Sequence, residues 1–181
     1  MNADASGWCS IFGLIVPVAL GLSGMGLQAQ TNGQDPDTTA LTRSEYRIPA
    51  VNPAVEVPKA LAASKRDGKP VLLDFGAAWC LDCRVLWRYF EDPGIAKLLS
   101  ANFHLVEIDL EDSEPWHKYG RASGRTGIPL FVMLDSEGNV IPNSTGVQWR
   151  TARTFTLETV RRYLEQMAGI ARAHKKTKLQ E

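Results

Sequence analysis

The sequence predicts an α/β domain whose central mixed sheet has about four to five strands and is flanked by helices. Apolar, β-compatible runs at 71–75, 103–110 and 129–135 alternate with segments of helical periodicity. This alternation favours parallel strands that are connected by helices. The turn "SEGN" (136–139) leads to a further β-compatible run at 140–146, which adds an antiparallel strand at one edge.

Helical segments connect and follow these strands. The first, "VEVPKALAASKRDGKP" (55–70), ends at a Gly and a Pro, which are typical helix terminators. The second, 83–100, is interrupted by the Pro-Gly of "EDPG" and then continues. A short helix over 114–124 stops at a Gly. Apolar residues recur at +3 and +4 through 157–171, which predicts a long amphipathic helix at the C-terminal end.

The N-terminal segment differs in composition from the rest of the chain. Residues 11–27 are apolar and uncharged, and small residues and a polar, turn-rich stretch follow. This pattern predicts a signal peptide over 1–29, cleaved after Ala29, and hence export to a periplasmic or extracytoplasmic compartment. A retained membrane anchor is the alternative, although the run is shorter than the roughly 20 residues that a spanning helix needs. We expect no stable membrane contact unless this segment is retained.

The remaining chain divides into a linker, one domain and a tail. Residues 30–54 are rich in Thr, Asn, Asp, Pro and Gln, which indicates a flexible linker. The alternating elements occupy 55–173, a length expected of one domain. The basic residues of "HKKTK" indicate a solvated tail over 174–181.

Two of the three cysteines, Cys80 and Cys83, lie in the segment "DFGAAWCLDCRVLW" (74–87). The third, Cys9, precedes the apolar run and is lost if the signal peptide is removed. A pair at this spacing is compatible with a structural disulfide, two metal ligands or a redox couple. Zinc normally takes four ligands, and the nearby histidines fall on a predicted strand and a predicted helix, so we expect no metal site.

The pair lies where a predicted strand ends and a predicted helix begins. Unpaired N–H groups and the positive end of the helix dipole stabilise a thiolate there, so its pKa falls below the free value of about 8.5. Cys83 lies one turn further on and is shielded by its own helix. Cys80 is therefore the expected attacking thiolate, and Cys83 is the thiol that resolves the mixed disulfide.

The segment "VLLDFGAAWCLDCR" (71–84) resembles the active-site strand and loop of the thioredoxin superfamily. A second similarity is "TGIPLFVMLDSEGNVI" (126–141), in which Ile128-Pro129 falls where the family has an apolar residue and a cis-proline. The resemblance covers 55–173 and is nearer to exported, periplasmic-type thioredoxin-like domains than to cytosolic thioredoxin. It implies a thioredoxin-like fold.

The resemblance also implies a role for each matching residue. Cys80 is the nucleophile and Cys83 the resolving thiol. Asp74, buried beneath the pair with a raised pKa, accepts the proton of Cys83. Three residues form the substrate-facing surface, in which the backbone beside the cis-proline pairs with an extended substrate segment: Trp79, Ile128 and Pro129.

The sequence departs from small thioredoxins at two places. Leu81-Asp82 replaces the Gly-Pro dipeptide between the cysteines, and the stretch "HLVEIDL" offers Leu105 where the family has a Lys near its buried Asp. A carboxylate at position 82 disfavours the Cys80 thiolate. Because a strongly oxidising protein needs a very stable thiolate, this spacer indicates a reducing or interchange role.

Together these features indicate a thiol–disulfide oxidoreductase that reduces or interchanges disulfides of protein substrates. A non-catalytic binding or assembly module on the same fold is the alternative. No nucleotide or flavin fingerprint is present, so we expect no cofactor, and another protein's thiols must supply the electrons. Lys and Arg number 20, as do Asp and Glu, and this zero formal net charge gives no support for a nucleic-acid partner.

Overall fold

The structure, a computed structural model, describes five stretches of the 181-residue chain: 52–110, 115–120, 123–124, 127–143 and 149–180. The predicted signal peptide, Cys9 and nearly all of the predicted linker lie outside them. Of the helices in these stretches, none is both long enough and apolar enough to cross a bilayer.

Helices and strands alternate along the described residues, as the sequence predicts. Two short helical turns, a π turn at Trp116–Gly120 and a 3₁₀ turn at Trp149–Thr154, join the longer elements. The longer elements are α1 (Pro53–Asp67), β1 (Val71–Gly76), α2 (Leu81–Phe90), α3 (Pro93–Asn102), β2 (His104–Asp109), β3 (Leu130–Leu134) and α4 (Leu157–Lys178).

Local caps explain where the helices begin and end. The side chain of Asn52 accepts a hydrogen bond from the Ala54 N–H at the start of α1. Gly68 ends that helix with φ 75°, a left-handed conformation that favours glycine. Between α2 and α3, the Asp92 carboxylate accepts two backbone N–H bonds and Pro93 opens the new helix, so the predicted interruption is confirmed.

The sheet has the order β2-β1-β3 in the described residues, with β1 parallel to β2 and antiparallel to β3. The predicted mixed sheet is confirmed. The predicted fourth strand is reduced, in its described part, to one bridge between Val140 and Leu134. Pro142 has no N–H to donate, and Asn143 has φ 61°, so the chain turns away from the sheet there. The remainder, from residue 144, lies outside the described part.

The two faces of the sheet pack against different helices. Leu72 and Phe131 face α2 and α4 in one buried apolar cluster. Leu73 and Phe75 face the other way, in a second cluster that includes Val57 of α1. Because side chains alternate along a strand, Asp74 shares the face of Leu72 and lies beneath α2.

The end of α4 differs from the predicted tail. The helix continues through Lys178, and the predicted tail therefore begins inside it. The Lys178 ammonium lies 2.9 Å from an Asp135 carboxylate oxygen and 2.7 Å from one of Glu137. These two ion pairs fasten the last turn of α4 to the turn after β3, which holds the basic residue in place.

Candidate active site

Cys80 and Cys83 form a disulfide at the first turn of α2. Cys80 is the N-cap residue, with extended backbone, and its sulfur accepts a hydrogen bond from the Cys83 N–H at 3.3 Å. The sulfur therefore occupies the place of a capping oxygen, where N–H groups are directed outward from the helix. In the reduced protein, the same N–H favours the charged form of the Cys80 sulfur.

The surroundings of the disulfide are apolar, and little of it is exposed. Cys80 is 7% exposed and Cys83 is 4% exposed, so both cysteines are buried. Trp79 and Leu81, which flank Cys80, are 54% and 39% exposed. Cys80 thus lies between two large apolar side chains that face solvent. Exposed apolar side chains of this kind can contact an unfolded or extended polypeptide.

The Ile128–Pro129 peptide bond is cis and leads directly into β3. Ile128 is buried in the same apolar cluster as both cysteines. Gly127, just before it, has φ 86°, a conformation that side chains rarely adopt. In the sequence, the Ile-Pro segment follows the cysteine pair by about 46 residues. In the structure, Ile128 and the disulfide belong to the same apolar cluster.

Asp74 lies in the middle strand, between Glu107 of β2 and Phe131 of β3. Burial in the sheet raises the pKa of Asp74 well above its ordinary value, and the charge of Glu107 raises it further. No cation or hydrogen-bond donor in the described chain lowers it. A carboxyl group with a raised pKa is a stronger base when it is ionised than an ordinary carboxylate.

Glu107 is the site residue that the sequence-based analysis missed. The resemblance places Leu105 of "HLVEIDL" near Asp74, but the register of the parallel pair places Glu107 opposite Asp74 and Leu105 opposite Leu72. Burial also raises the pKa of Glu107. The sequence carried no signal for this pairing, because the predicted runs 71–75 and 103–110 do not fix the register of the two strands.

Asp82, between the two cysteines, is 4% exposed and is paired with Arg153 of the 3₁₀ turn. Its carboxylate accepts bonds from the Arg153 backbone N–H at 2.9 Å, Nε at 3.0 Å and Nη2 at 2.6 Å. The carboxylate that the sequence places beside Cys80 is therefore paired with a cation in the fold. The ion pair fixes the first turn of α2 to the segment that precedes α4.

No three His, Cys, Asp or Glu side chains in the described residues are grouped so that they could hold a metal ion. His104 lies on β2, where its Nε2 is 3.0 Å from an Asp67 carboxylate oxygen. His117 is exposed on the π turn. Both histidines have the positions in strand and helix that the sequence predicts.

Comparisons with known proteins agree with this geometry. The profile of the thioredoxin-like family matches residues 52–136. A solved structure of a disulphide isomerase from Xylella fastidiosa Temecula1 is 32% identical, with a TM-score of 0.60, over 68% of this chain and 95% of that one.

Two curated relatives are named thiol:disulfide interchange protein DsbD. The one from Yersinia enterocolitica is 30% identical over 152 residues, which cover 83% of this chain and 25% of the relative. The one from Vibrio vulnificus is 31% identical over 121 residues, covering 66% and 20%. The chain thus spans a quarter or less of the length of these curated relatives.

The fold and the cysteine pair together define a thioredoxin-like domain whose two cysteines form a disulfide at the start of a helix. The chain belongs to the thioredoxin-like family. The predicted family and the predicted fold class are both confirmed.

Proposed function

We propose that the protein reduces or interchanges disulfides of exported protein substrates through Cys80 and Cys83. The observation that carries this proposal is the position of the Cys80 sulfur as the cap of α2, with the Cys83 N–H directed at it. This position stabilises a thiolate on Cys80, which is also the residue of the pair that lies between the exposed side chains of Trp79 and Leu81.

The reaction proceeds by two exchanges. The Cys80 thiolate attacks a substrate disulfide, forms a mixed disulfide and releases one substrate thiolate, which takes a proton from water. Asp74 as carboxylate then takes the proton of Cys83, and the Cys83 thiolate attacks the sulfur of Cys80. The second substrate thiolate leaves and is protonated, so two electrons pass to the substrate and the pair becomes a disulfide.

Three residues are proposed to hold the substrate beside the sulfurs. Trp79 offers an exposed aromatic surface beside Cys80. Ile128 and Pro129 precede β3, where an extended substrate segment can add backbone hydrogen bonds. The names of the relatives, which refer to thiol:disulfide interchange and to a disulphide isomerase, support protein thiols and disulfides as the partners of the pair. We propose in addition that another protein's thiols reduce the pair again. The proposed export rests on the apolar segment 11–27 of the sequence.

The direction of exchange is testable by redox titration of the pair. The residue pair between the two cysteines supplies no positive charge to stabilise the Cys80 thiolate, because Leu81 is apolar and Asp82 is a carboxylate paired with Arg153. We expect the pair to have a reduction potential more reducing than about −180 mV, the value of protein disulfide isomerase. A strongly oxidising thiol–disulfide protein has a potential of about −120 mV.

The titration is done on the purified protein against glutathione and dithiothreitol buffers, together with an insulin-reduction assay. A potential more oxidising than about −180 mV would contradict the reducing direction. Absence of insulin reduction by the wild-type protein would contradict the oxidoreductase proposal itself and leave the binding or assembly module.

A further inference from the structure

Two carboxyl groups lie side by side in the sheet beneath the active-site helix. The register of β1 and β2 sets Asp74 opposite Glu107, and side chains of paired residues on parallel strands extend from the same face. Neighbouring strands are about 4.8 Å apart, so two ionised carboxylates at these positions repel each other strongly.

The two carboxyl groups differ in their access to water. Asp74 is in the middle strand, with β2 on one side and β3 on the other. Glu107 is on β2 and lines a groove of about 660 Å³, together with Trp87, Phe90 and Leu105. The charge of Glu107 acts on Asp74 across the strand pair, and burial raises the pKa values of both groups.

We propose that Glu107 is a positioning residue for the exchange reaction: its carboxylate, opposite Asp74, holds the proton on Asp74 and so sets the pH range in which Cys83 is deprotonated. The predicted effect of Glu107 on turnover rests on the proposed function. Its electrostatic part concerns Asp74 and Glu107 alone and can be measured without any substrate.

Other ionisable groups are present around the pair, but in the described residues burial and the Glu107 charge alone account for the shift of Asp74. β3 carries no ionisable residue. The ionisable side chains that line the groove with Glu107 are Glu56, Lys59, Arg66, Lys69, Glu91 and His104, and those of α2, above the pair, are Asp82, Cys83, Arg84, Arg88 and Tyr89.

The direct test is the titration of the Asp74 carboxyl carbon by NMR in the oxidised protein, where the cysteines do not titrate. In Glu107→Gln, removal of the neighbouring charge should lower the Asp74 midpoint by about one to two pH units, as expected for charges on adjacent strands. Glu107→Lys should lower it further. Glu56→Gln, which removes a carboxylate from the same groove, should leave the midpoint unchanged.

Turnover supplies the second readout. If Asp74 must be ionised to deprotonate Cys83, the rising limb of the insulin-reduction pH profile should move to lower pH in Glu107→Gln by about the same amount. An unchanged Asp74 midpoint in both Glu107 variants would overturn the inference, whatever their stability. Loss of insulin reduction in the wild-type protein would instead overturn the proposed function, since the NMR result does not depend on it.

Discussion

Cys80→Ser is expected to abolish disulfide exchange, reducing insulin turnover to the rate of the buffer alone. The variant removes the one sulfur that caps α2 and borders exposed apolar surface, and a serine hydroxyl does not attack disulfides. Cys83→Ser is expected to be equally inactive in turnover but to react once. Its Cys80 thiolate attacks a substrate and stays bound to it, because no thiol follows to resolve the mixed disulfide.

The two variants are compared in a Cys9→Ser background, so that only the sulfurs of the pair can react. Non-reducing electrophoresis should show substrate adducts with Cys83→Ser and none with Cys80→Ser. Adducts formed by Cys80→Ser alone would reverse the two roles. Identification of proteins trapped by Cys83→Ser in the native compartment would name the physiological substrates.

Asp74→Asn is expected to slow turnover by roughly a hundredfold, the lower range for loss of a positioned general base. The same substitution should make the folded protein more stable at neutral pH. Asp74 has a raised pKa in the folded protein, so it costs stability wherever it must ionise. The contribution of Asp74 to the free energy of unfolding is most favourable below the unfolded pKa of about 3.9. This contribution declines as pH rises from there towards the folded pKa.

The stability gain of Asp74→Asn over the wild type should therefore grow with pH across that interval and then level off. Chemical unfolding at a series of pH values measures it. A stability gain that is independent of pH would contradict the raised pKa of Asp74. Unchanged turnover in Asp74→Asn would contradict its role as the base.

Asp135→Asn is the matched control, because it is expected to lower the stability of the folded protein at neutral pH, whereas Asp74→Asn raises it. Lys178 and Asn139 bind the Asp135 carboxylate and hold its pKa at about 2 in the folded protein. This contribution is present above the unfolded pKa of about 3.9 and is lost as pH falls towards 2. The control should lose about 2 kcal/mol at neutral pH and keep full turnover.

Elements with local signals were predictable from the sequence. Periodicity and terminators located α1, the break before Pro93 and the long C-terminal helix, and the alternation of apolar runs gave the mixed sheet. The edge hairpin was less predictable. Whether residues after Val140 pair with β3 depends on backbone turns at 142–143 that hydrophobic pattern does not report.

The residues of the candidate site also divide into those that the sequence identifies and those that only the fold shows. The cysteines and the cis-proline segment belong to contiguous motifs, and the sequence identified both. The partners of Asp74 and Asp82 did not follow from motifs, because each is set by tertiary structure. Glu107 depends on the register of two strands, and Arg153 reaches Asp82 across 71 residues of chain. Charges that look unpaired in sequence can therefore be paired in the fold.

The central claim is that Cys80 is the attacking sulfur, activated by the end of α2. The most direct measurement is alkylation of the reduced protein by iodoacetamide over a range of pH, with peptide mapping to assign the label. We expect Cys80 to be labelled first, with a midpoint below the free value of about 8.5. Labelling of Cys83 before Cys80, or a Cys80 midpoint at or above about 8.5, would contradict the claim.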